Sequence, residues 1–159
     1  MSINKLENSK EAEKAEVAKY FNEMGFERWN RIYSESNDVN KVQKNIRIGH
    51  QKTVDDVLSW LKITGKLNEI DICDAGCGVG SLTLPLAAMG AGSIYASDIS
   101  DAMIEETKRR ATQAGLDMNK ISFQQSDLES LSGSFHTVIC LDVFMHYPQQ
   151  AAEEMVRHL

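Results

Sequence analysis

A chain of 159 residues has room for one domain with a sizeable core and is too short for two comfortable ones. Its formal charge of −6 argues against a general nucleic-acid binder, so no nucleic-acid partner is expected. The opening MSINKLENSKEAEK lacks the apolar core of a signal peptide, and Asp142 and His146 interrupt the longest apolar candidate for a membrane span.

Residues 1–14 are polar and without periodicity, which predicts a frayed or disordered start. Val17, Tyr20, Phe21 and Met24 then recur at helical spacing, with Gly25 placed to end that helix in the left-handed conformation. Phe26, Trp29, Ile32 and Tyr33 mark a second short amphipathic element. From 39 to 61 the apolar positions Val42, Ile46, Val54, Val57, Leu58 and Leu61 mark a longer helical region, broken near Gly49. A first strand is expected over 69–75. A helix follows from Ser81 to Met89, with Pro85 near its first turns and Gly90 at its end. A second strand covers 93–98, and Ser100 caps a helix running to about Ala114, closed by Gly115. KISFQQSD and FHTVICLD supply two more strands, and Gln149 to Leu159 opens a last helix. The order predicts an α/β protein with a parallel sheet. A helical cap over 15–62 is expected on the strands' carboxyl ends, with the α/β domain at 63–159.

DAGCGVG, residues 74–80, follows the first strand directly. Glycines at 76, 78 and 80 let backbone N–H groups approach a ligand closely. A pyrophosphate site would use GxGxxG; here the spacing is GxGxG, and Asp74 beside the turn suits a ligand with positive charge. Asp98 ends the second strand, where an acid can accept from both ribose hydroxyls. Asp127 follows the third strand, placed for an adenine amine, with Leu128 in apolar contact. The ligand inferred is S-adenosylmethionine, with Cys77, Ile99 and Leu141 also assigned to its site.

Cysteines 73, 77 and 140 sit in apolar or glycine-rich surroundings and read as buried small hydrophobes in a reducing, cytoplasmic compartment. Cys73 and Cys77 lack zinc-site spacing, and the four histidines are scattered, so no protein metal site is expected.

The chain resembles the class I S-adenosylmethionine-dependent methyltransferases. The stretches GFERWNRIY, NIRIGHQKTV, CDAGCGVGSL, YASDIS and TVICLDVFMHYP make it similar to the magnesium-protoporphyrin IX methyltransferase family of chlorophyll synthesis, from about Val17 to Leu159. The resemblance implies a Rossmann-like methyltransferase sheet with an N-terminal helical cap, apparently truncated after the fourth strand. It also implies methyl transfer to one propionate of a magnesium porphyrin, with magnesium present only in that substrate. A chelatase subunit as partner and at most peripheral contact with photosynthetic membranes are further expectations.

A propionate is already ionised at pH 7, its pKa being ~4, so catalysis needs orientation more than a base. His146 is one candidate, or else a loop-packing residue; Tyr33 is the other, or else an aromatic of the cap core. Arg47 and His50 either reach the carboxylate of the donor's methionine part or form a solvated basic face. Arg28, Arg31, Lys41, Lys44, Arg47 and Lys52 against Glu35 and Asp38 give a basic cap suited to a dianionic porphyrin. Competing readings are a nicotinamide-dependent oxidoreductase, a noncatalytic adenosylmethionine- or porphyrin-binding module, and a methyltransferase of the same fold with another small substrate.

Overall fold

The computed structural model describes residues 3–34 and 37–159. Met1, Ser2, Glu35 and Ser36 lie outside the described residues. Helix α1 spans Ile3–Asn22, α2 Met24–Ile32 and α3 Lys41–Ile63. The start expected to be frayed is therefore helical from residue 3. Its Lys, Glu and Ala are strong helix formers, and Lys14 pairs with Asp127 (3.4 Å) and with Glu129, an anchor invisible to local periodicity.

Two glycines differ from expectation. Gly25 does not end α1; it lies in the first turn of α2, where a Cβ would meet the Tyr20 ring and carbonyl oxygen at 2.7 Å. Its smallness serves close approach of two helices. Gly49 does not break α3 either. One mid-helix glycine costs only about 1 kcal/mol. The helix starts with a full capping box, in which Gln43 N donates to Asn40 Oδ1 and Asn40 N donates to Gln43 Oε1.

Strand β1 (Asp71–Ala75), helix α4 (Thr83–Ala88), β2 (Ser93–Asp98), α5 (Asp101–Gln113), β3 (Ile121–Gln125), β4 (Thr137–Ile139) and α6 (Gln149–His158) complete the chain. All strand pairs are parallel and the order is β3-β2-β1-β4, with Ile72 opposite Ile94 on one side and Thr137 on the other. Ser100 caps α5 by accepting from Met103 N, while Gly90 and Gly115 adopt positive φ just beyond their helices, as the sequence suggests.

β1 is buried on both faces, as befits the centre of a parallel sheet. Ile72 packs with Val54, Val57 and Leu61 of α3, Leu86 of α4 and Ile104 of α5. Cys73 and Ala75 face the other way, toward Leu128, Leu131 and Met155 of α6. The chain thus reverses direction across the sheet between β1 and β4, and that reversal opens a crevice at the strands' carboxyl ends.

Candidate active site

A cavity of ≈ 330 Å³ lies in that crevice, roofed by residues of α1 to α3. Its floor is the glycine turn. Gly76, Gly78 and Gly80 have φ of 83, 54 and 85°, conformations costly for any residue with a Cβ. Gly76 N and Cys77 N both donate to Ser97 O at 2.8 Å, and Thr107 Oγ1 donates to Gly78 O at 2.7 Å. A Cβ at Gly76 would strike Val143 and one at Gly80 would strike Thr107, whereas one at Gly78 meets nothing within 4 Å. The space before Gly78 is therefore open to a ligand.

Eleven of the residues singled out from the sequence line the cavity: Tyr33, His50, Gly76, Cys77, Gly78, Asp98, Ile99, Asp127, Leu128, Leu141 and His146. Asp74, Gly80 and Arg47 are not part of that wall. Asp74 shares the Ile72 face of β1, is 2 % exposed and accepts from Thr83 Oγ1 at 2.5 Å. Burial pushes its carboxyl from 3.8 up to about 6; the Thr83 hydroxyl opposes this and the Asp98 charge adds to it. The acid expected at the mouth of the turn instead sits beneath it, holding the turn to α4. Gly80 leaves room for Thr107, which a Cβ there would meet at 2.7 Å. Arg47 donates to the carbonyl oxygens of Ile32 (2.5 Å) and Arg31 (3.0 Å), where it clamps the end of α2.

Asp98 serves the turn as well as the cavity. Its Oδ2 accepts from Gly78 N and its Oδ1 from Ser100 N, each at 2.9 Å. Burial raises its pKa and these backbone bonds counter the rise. Asp127 accepts from the backbone of Glu129 and Ser130 and from Ser130 Oγ. Burial would raise its pKa, but the Ser130 bonds and the Lys14 charge hold it below the usual range. Each carboxylate keeps spare lone pairs for a ligand.

His50 cannot serve a donor carboxylate in this arrangement, because both ring nitrogens are taken. Nδ1 lies 2.7 Å from Asp142 Oδ2 and Nε2 lies 2.7 Å from Ser81 Oγ. Tyr33 packs on the His50 ring (4.3 Å) and on the Trp29 ring (5.5 Å). Burial, then the Asp142 charge, raises its phenol well above the ordinary 10, so it remains an O–H donor. His146 packs edge-on against Phe21 at 5.0 Å and Trp29 at 6.2 Å; burial lowers its pKa and the Asp142 charge opposes that. Asp142 and Ser81 escaped the sequence reading. Asp142 was visible only as a charge interrupting an apolar run, and nothing local announces its φ of 57°.

The basic cap is weaker than its composition. Lys52 pairs with Asp56 at 2.7 Å, Arg31 lies 4.0 Å from Asp38, and Arg47 is committed to carbonyls. The cysteines are free; burial pushes Cys73 up to about 11 and Cys140 up to about 12. Among the described residues no helix is long and apolar enough to cross a membrane.

Residues 72–159 match the family described as "Methyltransferase domain". The magnesium-protoporphyrin O-methyltransferase of Synechocystis sp. is 50% identical over 147 residues, covering 92% of this chain and 63% of that protein. The chloroplastic magnesium protoporphyrin IX methyltransferase of Arabidopsis thaliana is 48% identical over 147 residues, 92% of this chain and 47% of that one. A crystal structure of the Synechocystis protein with bound SAM superposes with a TM-score of 0.87 at 49% identity, over 92% of this chain and 69% of that chain. This chain thus spans less than two thirds of the curated relatives' full length.

Proposed function

The chain belongs to the methyltransferase-domain family and groups within it with the magnesium-protoporphyrin O-methyltransferases; from that premise we propose that it binds S-adenosylmethionine and serves methyl transfer to a propionate of magnesium-protoporphyrin IX. The product is the monomethyl ester, an intermediate of chlorophyll synthesis. The observation that carries this reading is the cavity itself. Gly78 faces open space, and Asp98, Asp127, Tyr33 and His146 line the same cavity.

The residues fit the donor. Asp98 is the acceptor for ribose hydroxyls, with Ile99 beside it. Leu128 and Leu141 supply apolar contact, and Asp127 has a free lone pair for the adenine amine. Bound there, the donor supplies an electrophilic methyl on a sulfonium. The acceptor propionate is ionised at pH 7, with a pKa of ~4, so this chain need not remove a proton. Tyr33 and His146 act by holding the carboxylate oxygen in line and stripping it of water, an orientation effect that reaches roughly 7–11 kcal/mol in favourable cases. The neutral His146 ring and the Tyr33 phenol are suited to this as hydrogen-bond donors. The cavity is of donor size, so the tetrapyrrole disc stays at its mouth, where Met145 is 73% exposed, and only a propionate enters. Contact with a chelatase subunit and peripheral attachment to photosynthetic membranes belong to the same proposal.

The test is to incubate the chain with methyl-labelled S-adenosylmethionine and either magnesium- or metal-free protoporphyrin. Alkali-labile label on the magnesium porphyrin is the expected result. Donor binding by titration calorimetry without any label transfer would favour a noncatalytic binding module. No donor binding at all would remove the site.

A further inference from the structure

Three segments distant in sequence converge on His50. It projects from α3, one of the roofing helices. Ser81 closes the glycine turn before α4, and Asp142 follows β4. The carboxylate can only accept, so Nδ1 carries a proton toward Asp142, and Nε2 is in hydrogen-bond contact with the Ser81 hydroxyl. His50 is buried, while the Asp142 side chain at the cavity end is half-exposed. Asp142 itself is the one described non-glycine residue with positive φ, at 57°. A non-glycine backbone held there costs of order 1–3 kcal/mol and persists only where its surroundings impose it. A residue kept in that conformation, with its side chain at the cavity wall, serves something other than the stability of its loop.

Resting on the methyltransfer reading above, we propose that Asp142 is a positioning residue of this site: acting through His50, it locks the roofing helix α3 to the glycine turn and fixes the Tyr33 ring against the cavity. His50 is the link, since its ring stacks on Tyr33 at 4.3 Å while its two nitrogens tie the β4 loop to Ser81. Trp29 also stacks on Tyr33 at 5.5 Å, and the Tyr33 backbone carbonyl accepts from Arg110 of α5 at 3.2 Å. The ring and the backbone of Tyr33 are thus tied to α2, α3 and α5. The Asp142 charge reaches both Tyr33 and His146, so a single carboxylate biases both groups that meet the substrate.

Glycine is the informative substitution. Asp142→Gly suits the φ of 57° better than aspartate does, a backbone gain that is set against the loss of the acceptor for His50 Nδ1. Asp142→Asn keeps size and tolerance of positive φ while removing the charge. The expected result is that Asp142→Asn, whose amide oxygen still accepts from His50 Nδ1, melts near the wild-type temperature, that both variants bind S-adenosylhomocysteine as wild type, and that kcat falls about ten- to a hundredfold, as for a small misplacement of a reacting group. In Asp142→Asn, the His146 ring signals, identified by their loss in His146→Gln, should titrate at lower pH by proton NMR. Wild-type kcat together with an unmoved His146 titration would overturn the proposal. So would release of methanol from the methyl ester by the chain and its loss in Ser81→Ala. That outcome would make Ser81 a nucleophile in a hydrolytic relay of the same residue order. If the wild-type chain transfers no methyl, the functional reading fails, while the His146 titration still decides whether Asp142 sets its environment.

Discussion

Replacing Asp74 by asparagine isolates one buried charge. The wild-type carboxyl is 2 % exposed, and burial raises its pKa from 3.8 to about 6, against the Thr83 bond and with the Asp98 charge. The folded state therefore holds this proton more tightly than the unfolded chain. Its contribution to stability is fully present below about pH 4 and is lost as pH rises through about 6. At 1.36 kcal/mol per unit, the rise from 3.8 to about 6 corresponds to ~3 kcal/mol. Asparagine still accepts from Thr83 Oγ1 but does not ionise. Urea unfolding of both proteins at steps from pH 4 to pH 7.5 should show the wild type losing ~3 kcal/mol relative to Asp74→Asn. Parallel stability curves across that window would refute the buried-charge argument, and with it the placement of Asp74 beneath the turn.

Asp98→Ala should weaken S-adenosylmethionine binding by roughly 1.5–3 kcal/mol in calorimetry, the range for charged hydrogen bonds. It should also lower stability, because Gly78 N and Ser100 N lose their acceptor; unchanged donor affinity in the folded variant would remove the ribose role. His146→Ala should lower kcat with donor affinity near wild type, and raising pH should not restore the rate, since no base has been lost. Tyr33→Phe should lose turnover at an unchanged melting temperature, and a fully active variant would return Tyr33 to the cap core. Gly80→Ala should cost roughly 1–3 kcal/mol in urea unfolding, because φ is 85° and the new Cβ meets Thr107 at 2.7 Å. Gly78→Val meets no protein atom with its Cβ, so beyond the ~1–2 kcal/mol of its backbone its loss should fall on donor binding.

Local pattern carried the elements that repeat locally. The strand-to-glycine-turn transition, the Ser100 cap and the glycines closing α4 and α5 follow from residue chemistry within a few positions. The acids at the ends of β2 and β3 were legible too, because parallel topology brings every carboxyl end to one edge. Contacts between distant segments were not. His50 meets Ser81 across 31 residues and Asp142 across 92, and Lys14 meets Asp127 across 113. No period or motif encodes such pairs; they exist only once strand order is known. Asp74 was misplaced for a related reason. The motif fixed its position in the chain, but strand alternation, which puts it on the Ile72 face with Thr83, decided what it touches.

The strand order also has a consequence for how the molecule folds. β1 meets β2 after 22 residues, Ile72 against Ile94, but meets β4 only after 65, Ile72 against Thr137. The longer closure costs about 1 kcal/mol more in chain entropy. β4 brings just three residues to repay it. The β1–β2–β3 half can therefore assemble first, and it carries the glycine turn, Asp98 and Asp127 but neither Asp142 nor His146. A molecule caught at that stage would have most of its sheet and no functioning site. Within these four strands, the docking of β4 beside β1 is the step that brings Asp142 and His146 to the cavity.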